Sequence, residues 1–272
     1  MKVNKLDLIF IVVQFFLVGF SLGLIGCTIW MSETLPSIND EAAARYKRLE
    51  KILYPVVKIE NATGGTSSGF TVKMPSGVFY VVSSAHGLFD IRLLRSVLKR
   101  KIPPEIPPPF KMTVVRGELS QTYAISPIYI DPGNDFAIST VDLSSTTPLS
   151  SRGTDTTLAL YSANLQGKKT SARINFLDEV YVVGFPLGSD RRVASLGILS
   201  EANEKSIGFT APMIYGNSGG PIFDAASGEV IGIAHKIAVT MVDGNIIPVT
   251  HIGFGIPIGV IKKALREVDS WN

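Results

Sequence analysis

The chain has 272 residues, 46% of them hydrophobic and 18% charged, which is ample material for a buried core and excludes disorder as the main state. Its Gly 25 and Pro 16 exclude collagen-like and low-complexity readings. Lys+Arg 26 against Asp+Glu 23 leaves a formal net charge of +3, too mild to argue for nucleic acid as a partner.

Leu8 to Met31 carries no charged side chain. A bilayer core needs about 20 apolar residues as helix, so this run is long enough to span it. Lys2 and Lys5 precede the run, and the positive-inside bias places the N-terminus in the cytoplasm and residues 32–272 on the other side. A cleaved signal peptide normally has a shorter apolar core, of about 7–15 residues. Leu24-Ile25-Gly26-Cys27 also resembles a bacterial lipobox, in which the cysteine is lipidated and becomes the mature N-terminus, although Thr28-Ile29-Trp30-Met31 continues the apolar run beyond it. Uncleaved signal-anchor, lipoprotein and ordinary secretion all put the remaining chain on the same, periplasmic or extracellular, side of a membrane. Cys27 is the only cysteine, so no intramolecular disulfide and no cysteine-based zinc site is expected.

Residues 32–40 read as a linker, and Asp40-Glu41 opens a helix from Ala42 to Leu53 that leads into the folded domain. From Tyr54 the character changes to short Val-, Ile-, Tyr-, Phe- and Thr-rich runs between Gly, Pro, Asn, Asp and Ser. These predict strands at Pro55–Ile59, Gly69–Lys73, Val78–Ser83, Met112–Val115, Phe136–Val141, Leu158–Tyr161, Glu179–Val183, Gly208–Thr210, Val230–Ala234 and Ile246–Val249. Many short strands with frequent turns point to an all-β barrel or sandwich. Leu88 to Lys101 places Leu93, Leu94, Val97 and Leu98 at helical spacing opposite Arg92, Arg95, Lys99, Arg100 and Lys101, before a proline-rich return. It reads as a surface helix, with contact to anionic lipid or a partner protein as the sharper alternative. Ile258 to Val268 is apolar at Ile258, Ile261, Ala264, Leu265 and Val268, and predicts a C-terminal helix packed on the barrel.

The chemistry concentrates in Gly216-Asn217-Ser218-Gly219-Gly220-Pro221. A serine between glycines suits a tight turn whose amides converge on one point and can bind an oxyanion. Serine alone is a poor nucleophile and needs a base. Of His86, His235 and His251, His86 ends the apolar strand Val81-Val82-Ser83-Ser84 beside a turn. Asp135, opening the strand Phe136-Ala137-Ile138, is the carboxylate suited to orient that base. Asp131 and Asp90 are nearby but begin no alternating apolar strand.

The order His86, Asp135, Ser218 is that of the trypsin-like, chymotrypsin-fold serine peptidases, and Gly-Asn-Ser-Gly-Gly-Pro resembles the HtrA/DegP branch. Gly65-Thr66-Ser67-Ser68-Gly69-Phe70, Val183-Gly184-Phe185-Pro186-Leu187-Gly188, Gly197-Ile198-Leu199-Ser200, Glu229-Val230-Ile231-Gly232-Ile233 and Gly253-Phe254-Gly255-Ile256-Pro257 also resemble that branch's motifs in order. The resemblance covers roughly residues 55–268. It implies two six-stranded antiparallel β-barrels, the first at about 54–148 and the second at about 149–257, followed by the helix 258–268. It implies a serine endopeptidase with Ser218 as nucleophile, His86 as base, Asp135 as orienting acid, and the amides of Gly216 and Ser218 as oxyanion hole. Protein or peptide substrates are implied, with no cofactor and no metal; a homo-oligomer is left open. The sequence departs from the branch at Gly87-Leu88 after the histidine, in the lengthened His86–Asp135 interval, and in having no PDZ domain before Asn272. No activation-type Ile-Val-Gly-Gly start is present, so zymogen cleavage is not expected.

Pro212, upstream of the serine, is uncharged, which argues against a basic P1 preference. By family analogy Ala234 to Ile237 would wall the pocket and favour an aliphatic or small P1 residue. His235 and His251 read as structural histidines, with a polar or acidic P1 pocket as the alternative. A catalytically silent protein-binding or sensor module on the same fold is the competing functional class, and a latent enzyme is a third state.

Overall fold

The structure is a computed structural model that describes residues 52–61, 63–89, 110–145, 158–165 and 175–271, together with Leu49. The expected membrane segment, the lipobox, the linker, most of the Ala42–Leu53 helix and the basic, proline-rich insertion lie outside the described residues. Ile52 and Leu53, at the end of the expected helix, are helical. Among the described residues no helix is long and apolar enough to cross a membrane. The chain divides into Met1–Leu49 and Glu50–Asn272, and both barrels lie in the second unit.

The first barrel consists of β1 (Val56–Glu60), β2 (Thr66–Lys73), β3 (Phe79–Ser84), β4 (Phe110–Arg116), β5 (Leu119–Asp131) and β6 (Phe136–Asp142). A four-residue helix, α1 (Ala85–Leu88), follows β3 directly. The strand order β1-β2-β3-β6-β5-β4 closes through antiparallel pairing of β1 with β4. The second barrel consists of β7 (Glu179–Gly184), β8 (Val193–Ala202), β9 (Ile207–Phe209), β10 (Pro221–Asp224), β11 (Val230–Val242) and β12 (Asn245–Pro257), ordered β10-β11-β12-β9-β8-β7 and closed by β10 on β7. Helix α2 (Ile258–Asp269) runs on from β12. The expected double barrel with a C-terminal helix is the observed architecture.

Alternation along the strands explains the three cores. Val57, Ile59, Val81, Met112, Tyr123 and Ile125 fill the first barrel. Val180, Val182, Leu199, Phe209, Ile222 and Ile231 fill the second. Residues of opposite parity, among them Val56, Phe70, Tyr80, Val82, Phe136, Val183, Phe223 and Ile233, form a third cluster that also takes the buried face of α2. Successive side chains of a strand point to opposite faces. β3 is therefore buried on both sides, with Val81 inside its barrel and Tyr80 and Val82 in the seam. That is why Val78–Ser83 reads as a continuous apolar run. Each fully buried Val, Ile or Phe contributes about 1.5–3 kcal/mol relative to exposure.

Two expectations need correction. Leu158–Tyr161 belongs to neither sheet. Its backbone is held by side chains instead: the Leu158 amide donates to Gln121 Oε1 at 2.6 Å, the Leu158 carbonyl accepts from the Tyr123 hydroxyl at 2.9 Å, and the Tyr161 carbonyl accepts from the Thr71 hydroxyl. The strands expected at Val230–Ala234 and Ile246–Val249 are parts of one long hairpin. Val242 pairs with Asn245, leaving Asp243 and Gly244 as a two-residue turn with φ of 51° and 78°. Positive φ at both positions suits the right-handed twist of the flanking strands.

Candidate active site

His86 lies in the first turn of α1, immediately after β3, and Asp135 precedes β6, the neighbour of β3. The short helix begins with no side-chain cap from Ser84. Asp135 takes that part from the next strand: its carbonyl accepts the Ala85 amide at 3.1 Å, and its Oδ1 accepts the His86 amide at 3.0 Å. Its Oδ2 lies 2.7 Å from Nδ1 of the His86 ring. A carboxylate only accepts, so the neutral ring carries its proton on Nδ1 and leaves Nε2 as the acceptor.

Asp135 adopts φ of 58°, a left-handed conformation that aspartate tolerates better than most residues. The preceding turn is locked by Asp131, whose Oδ1 accepts the amides of Gly133 and Asn134 and whose Oδ2 accepts the Asn134 side chain at 2.7 Å. Of the two rival carboxylates, Asp131 is thus a turn holder, and Asp90 lies outside the described residues. Burial by itself would push the Asp135 carboxyl up. Hydrogen bonds from His235 and His86, the charge of the His86 ring and the His86 amide outweigh it and hold the carboxyl well below the usual carboxylate range.

Ser218 stands half-buried in the turn before β10. The turn is fixed from two sides. In its own barrel, Gly219 donates to the Ala234 carbonyl at 2.7 Å, and Ala234 donates to the Gly220 carbonyl at 2.8 Å. From the first barrel, the Ser68 amide donates to the Ser218 carbonyl at 2.9 Å, and the Ser68 hydroxyl donates to the Gly216 carbonyl at 2.7 Å. The same hydroxyl accepts the Phe185 amide at 2.8 Å. Among the described residues, neither the Gly216 nor the Ser218 amide donates a hydrogen bond, so both remain available to an incoming acceptor.

Gly219, at φ of 83°, leaves no room for a side chain: a Cβ there would lie 2.3 Å from the Ser68 carbonyl oxygen and 2.5 Å from the Ser84 nitrogen. The nucleophile turn therefore rests directly on the backbone that leads into His86. Among the described residues no hydrogen bond joins the Ser218 hydroxyl to the His86 ring; such bonds are often long before substrate binds. Gly87, where the sequence departs from the branch it resembles, is required here, because a Cβ would lie 2.6 Å from the Ser67 hydroxyl and 2.9 Å from that of Ser84.

One residue escaped the sequence reading. His235 is not a pocket-lining or purely structural histidine: its Nδ1 lies 3.1 Å from Oδ2 of Asp135. His251 is exposed on β12. No group of three or more His, Cys, Asp or Glu suited to a metal ion occurs among the described residues.

Two closed barrels, with a histidine–aspartate pair on one and a glycine-bound serine on the other, define the two-barrel peptidase class. The model of the trypsin-like peptidase domain matches residues 68–233. The chain belongs to this family of serine peptidases. Among solved structures, the serine endoprotease from Yersinia pestis is similar with a TM-score of 0.56 at 18% identity, over 82% of this chain and 65% of that one. The Rv3671c protease from M. tuberculosis in its active form gives 0.54 at 18% identity, over 80% and 82%. Its inactive form gives 0.53 at 18% identity, over 80% and 90%. At such identities the likeness is one of fold. Comparison with curated protein sequences finds no match.

Proposed function

We propose that this chain is a membrane-anchored serine endopeptidase working through Ser218, His86 and Asp135. The observation that carries the assignment is the hold of Asp135 on His86 through both ring and amide, which presents Nε2 as a base. In the reaction, Ser218 Oγ bonds to the scissile carbonyl carbon while its proton passes to His86 Nε2. The carbonyl oxygen becomes an anion facing the amides of Gly216 and Ser218. His86 then returns the proton to the leaving nitrogen as the C–N bond breaks, and water releases the acyl group by the same path. Asp135 stays ionised and stabilises the imidazolium. Preorganised donors supply the larger share of such rate enhancement.

The substrates are proteins or peptides, and the uncharged Pro212 with the Ala234–Ile237 wall favours an aliphatic or small P1 residue. The apolar run Leu8–Met31 anchors the chain with its peptidase domain on the non-cytoplasmic side, or Cys27 carries a lipid in its place. The six motifs favour the HtrA/DegP branch. The test is a fluorophosphonate probe: the full chain takes label and Ser218→Ala does not. A folded wild type that takes no label under any condition favours the silent binding module instead. Fractionation of cells expressing the full chain, with and without residues 1–31, tests the anchor.

A further inference from the structure

β11 carries one residue too many. Ala234 pairs with Gly255 and Lys236 with Phe254, so His235 has no partner on β12. An extra residue of this kind bends a strand and re-aims a side chain. Here the re-aimed ring leaves its own barrel and reaches the first, where its Nδ1 meets the Asp135 oxygen that His86 already occupies, at 3.1 Å against 2.7 Å. The His235 side chain is only 12% exposed, and a carboxylate oxygen can only accept, so this ring too holds its proton on Nδ1.

The contact differs from the others on Asp135. The Ala85 amide, the His86 amide and the His86 ring all come from the first barrel, as Asp135 does. His235 comes from the barrel that carries Ser218. Its chain neighbour Ala234 grips the nucleophile turn at both Gly219 and Gly220. Two consecutive residues of β11 thus hold the serine turn with one backbone and the acid with the next side chain. Resting on the peptidase reading above, we propose that His235 is a positioning residue for Asp135. It fixes the rotation of the carboxylate and, with Ala234, sets the spacing between the acid of one barrel and the nucleophile of the other.

The test compares two variants of the full-length chain. His235→Asn keeps an N–H at the ring's δ position, and His235→Leu keeps bulk without a donor. Three quantities are read on folded protein: kcat and KM on a peptide substrate, the rate of fluorophosphonate labelling, and the low-field proton resonance of His86 Nδ1–H. Loss of one hydrogen bond to a charged group lowers kcat and labelling in His235→Leu by about tenfold or more. KM stays within about twofold, because substrate contacts are untouched. The His86 resonance shifts upfield or broadens, and His235→Asn restores all three most of the way. A structural role alone would change the folded fraction and leave these readings as they are. Wild-type kcat with an unmoved resonance in His235→Leu overturns the proposal, as does an Asn variant no better than Leu. So does retention of labelling in His86→Asn together with its loss in His235→Asn, which would exchange the roles of the two rings. If wild type takes no label, the peptidase reading fails on its own and the His86 resonance alone decides for or against His235. If His235→Leu does not fold, His235→Gln, whose amide lies one bond farther out, takes its place.

Discussion

Ser68 of the first barrel and Ser218 of the second are joined by a backbone hydrogen bond of 2.9 Å. The fully buried Ser68 hydroxyl bridges the Phe185 amide and the Gly216 carbonyl on either side of that bond. One residue therefore fixes the peptide units flanking both proposed oxyanion donors. Ser68→Ala leaves a buried donor and a buried acceptor unpaired, which costs about 1–3 kcal/mol for each. The expected result is a lower urea midpoint, together with a fall in kcat that exceeds any rise in KM. An Ala variant with wild-type kcat would separate Ser68 from the oxyanion segment.

Asp135→Asn tests the acid without disturbing the backbone, since asparagine also tolerates the left-handed conformation. The amide cannot hold the His86 tautomer in the same way, and kcat falls by about 10⁴-fold while the fold persists. The variant also has a pH signature. The native carboxyl is held below its unfolded value of about 3.9, so its contribution to stability is complete above about pH 5 and is lost as the pH drops below about 4. Urea unfolding of both proteins across that range should show their stability gap narrowing toward acid. A gap independent of pH would mean that the carboxylate is not depressed.

Gly219→Ala forces a Cβ against the Ser68 carbonyl and the Ser84 nitrogen. Backbone offers no cheap relief, so the turn must shift away from the first barrel. Overpacking of this kind costs about 1–3 kcal/mol. We expect a modest loss in thermal stability and a much larger loss of labelling, measured on the same sample.

Helix α2 packs Ile258, Ile261, Ala264, Leu265 and Val268 onto the cluster between the barrels. Leu265→Ala empties a buried site and costs about 2–5 kcal/mol in denaturant unfolding. Lys263→Ala, on the same helix, is expected to change stability by less than about 0.5 kcal/mol.

Much of this was legible in the chain because the relevant residues stand at strand ends beside turns, where short motifs survive. His86, Asp135 and Ser218 each close or open an apolar run, and α2 shows its period plainly. β5 and β8 were less legible. Ser126 and Pro127 interrupt the first, and β8 exposes Val193 and Leu196, so neither shows a clean inward pattern. His235 was illegible for a different reason. A bulge changes the direction of one side chain without changing the sequence periodicity around it, and the partner it meets lies in the other barrel. The Asp243-Gly244 turn was a signal present in the sequence but overlooked.

β3 has no free face and no free edge: β2 and β6 flank it, Val81 points into one core and Tyr80 and Val82 into another. Amides in such a strand exchange with solvent only through opening of the whole domain. Because that strand ends two residues before His86, the imidazole cannot drift gradually as the protein warms. Peptidase competence and deuterium protection of residues 80–82 should vanish together, which makes catalysis a direct gauge of cooperative integrity.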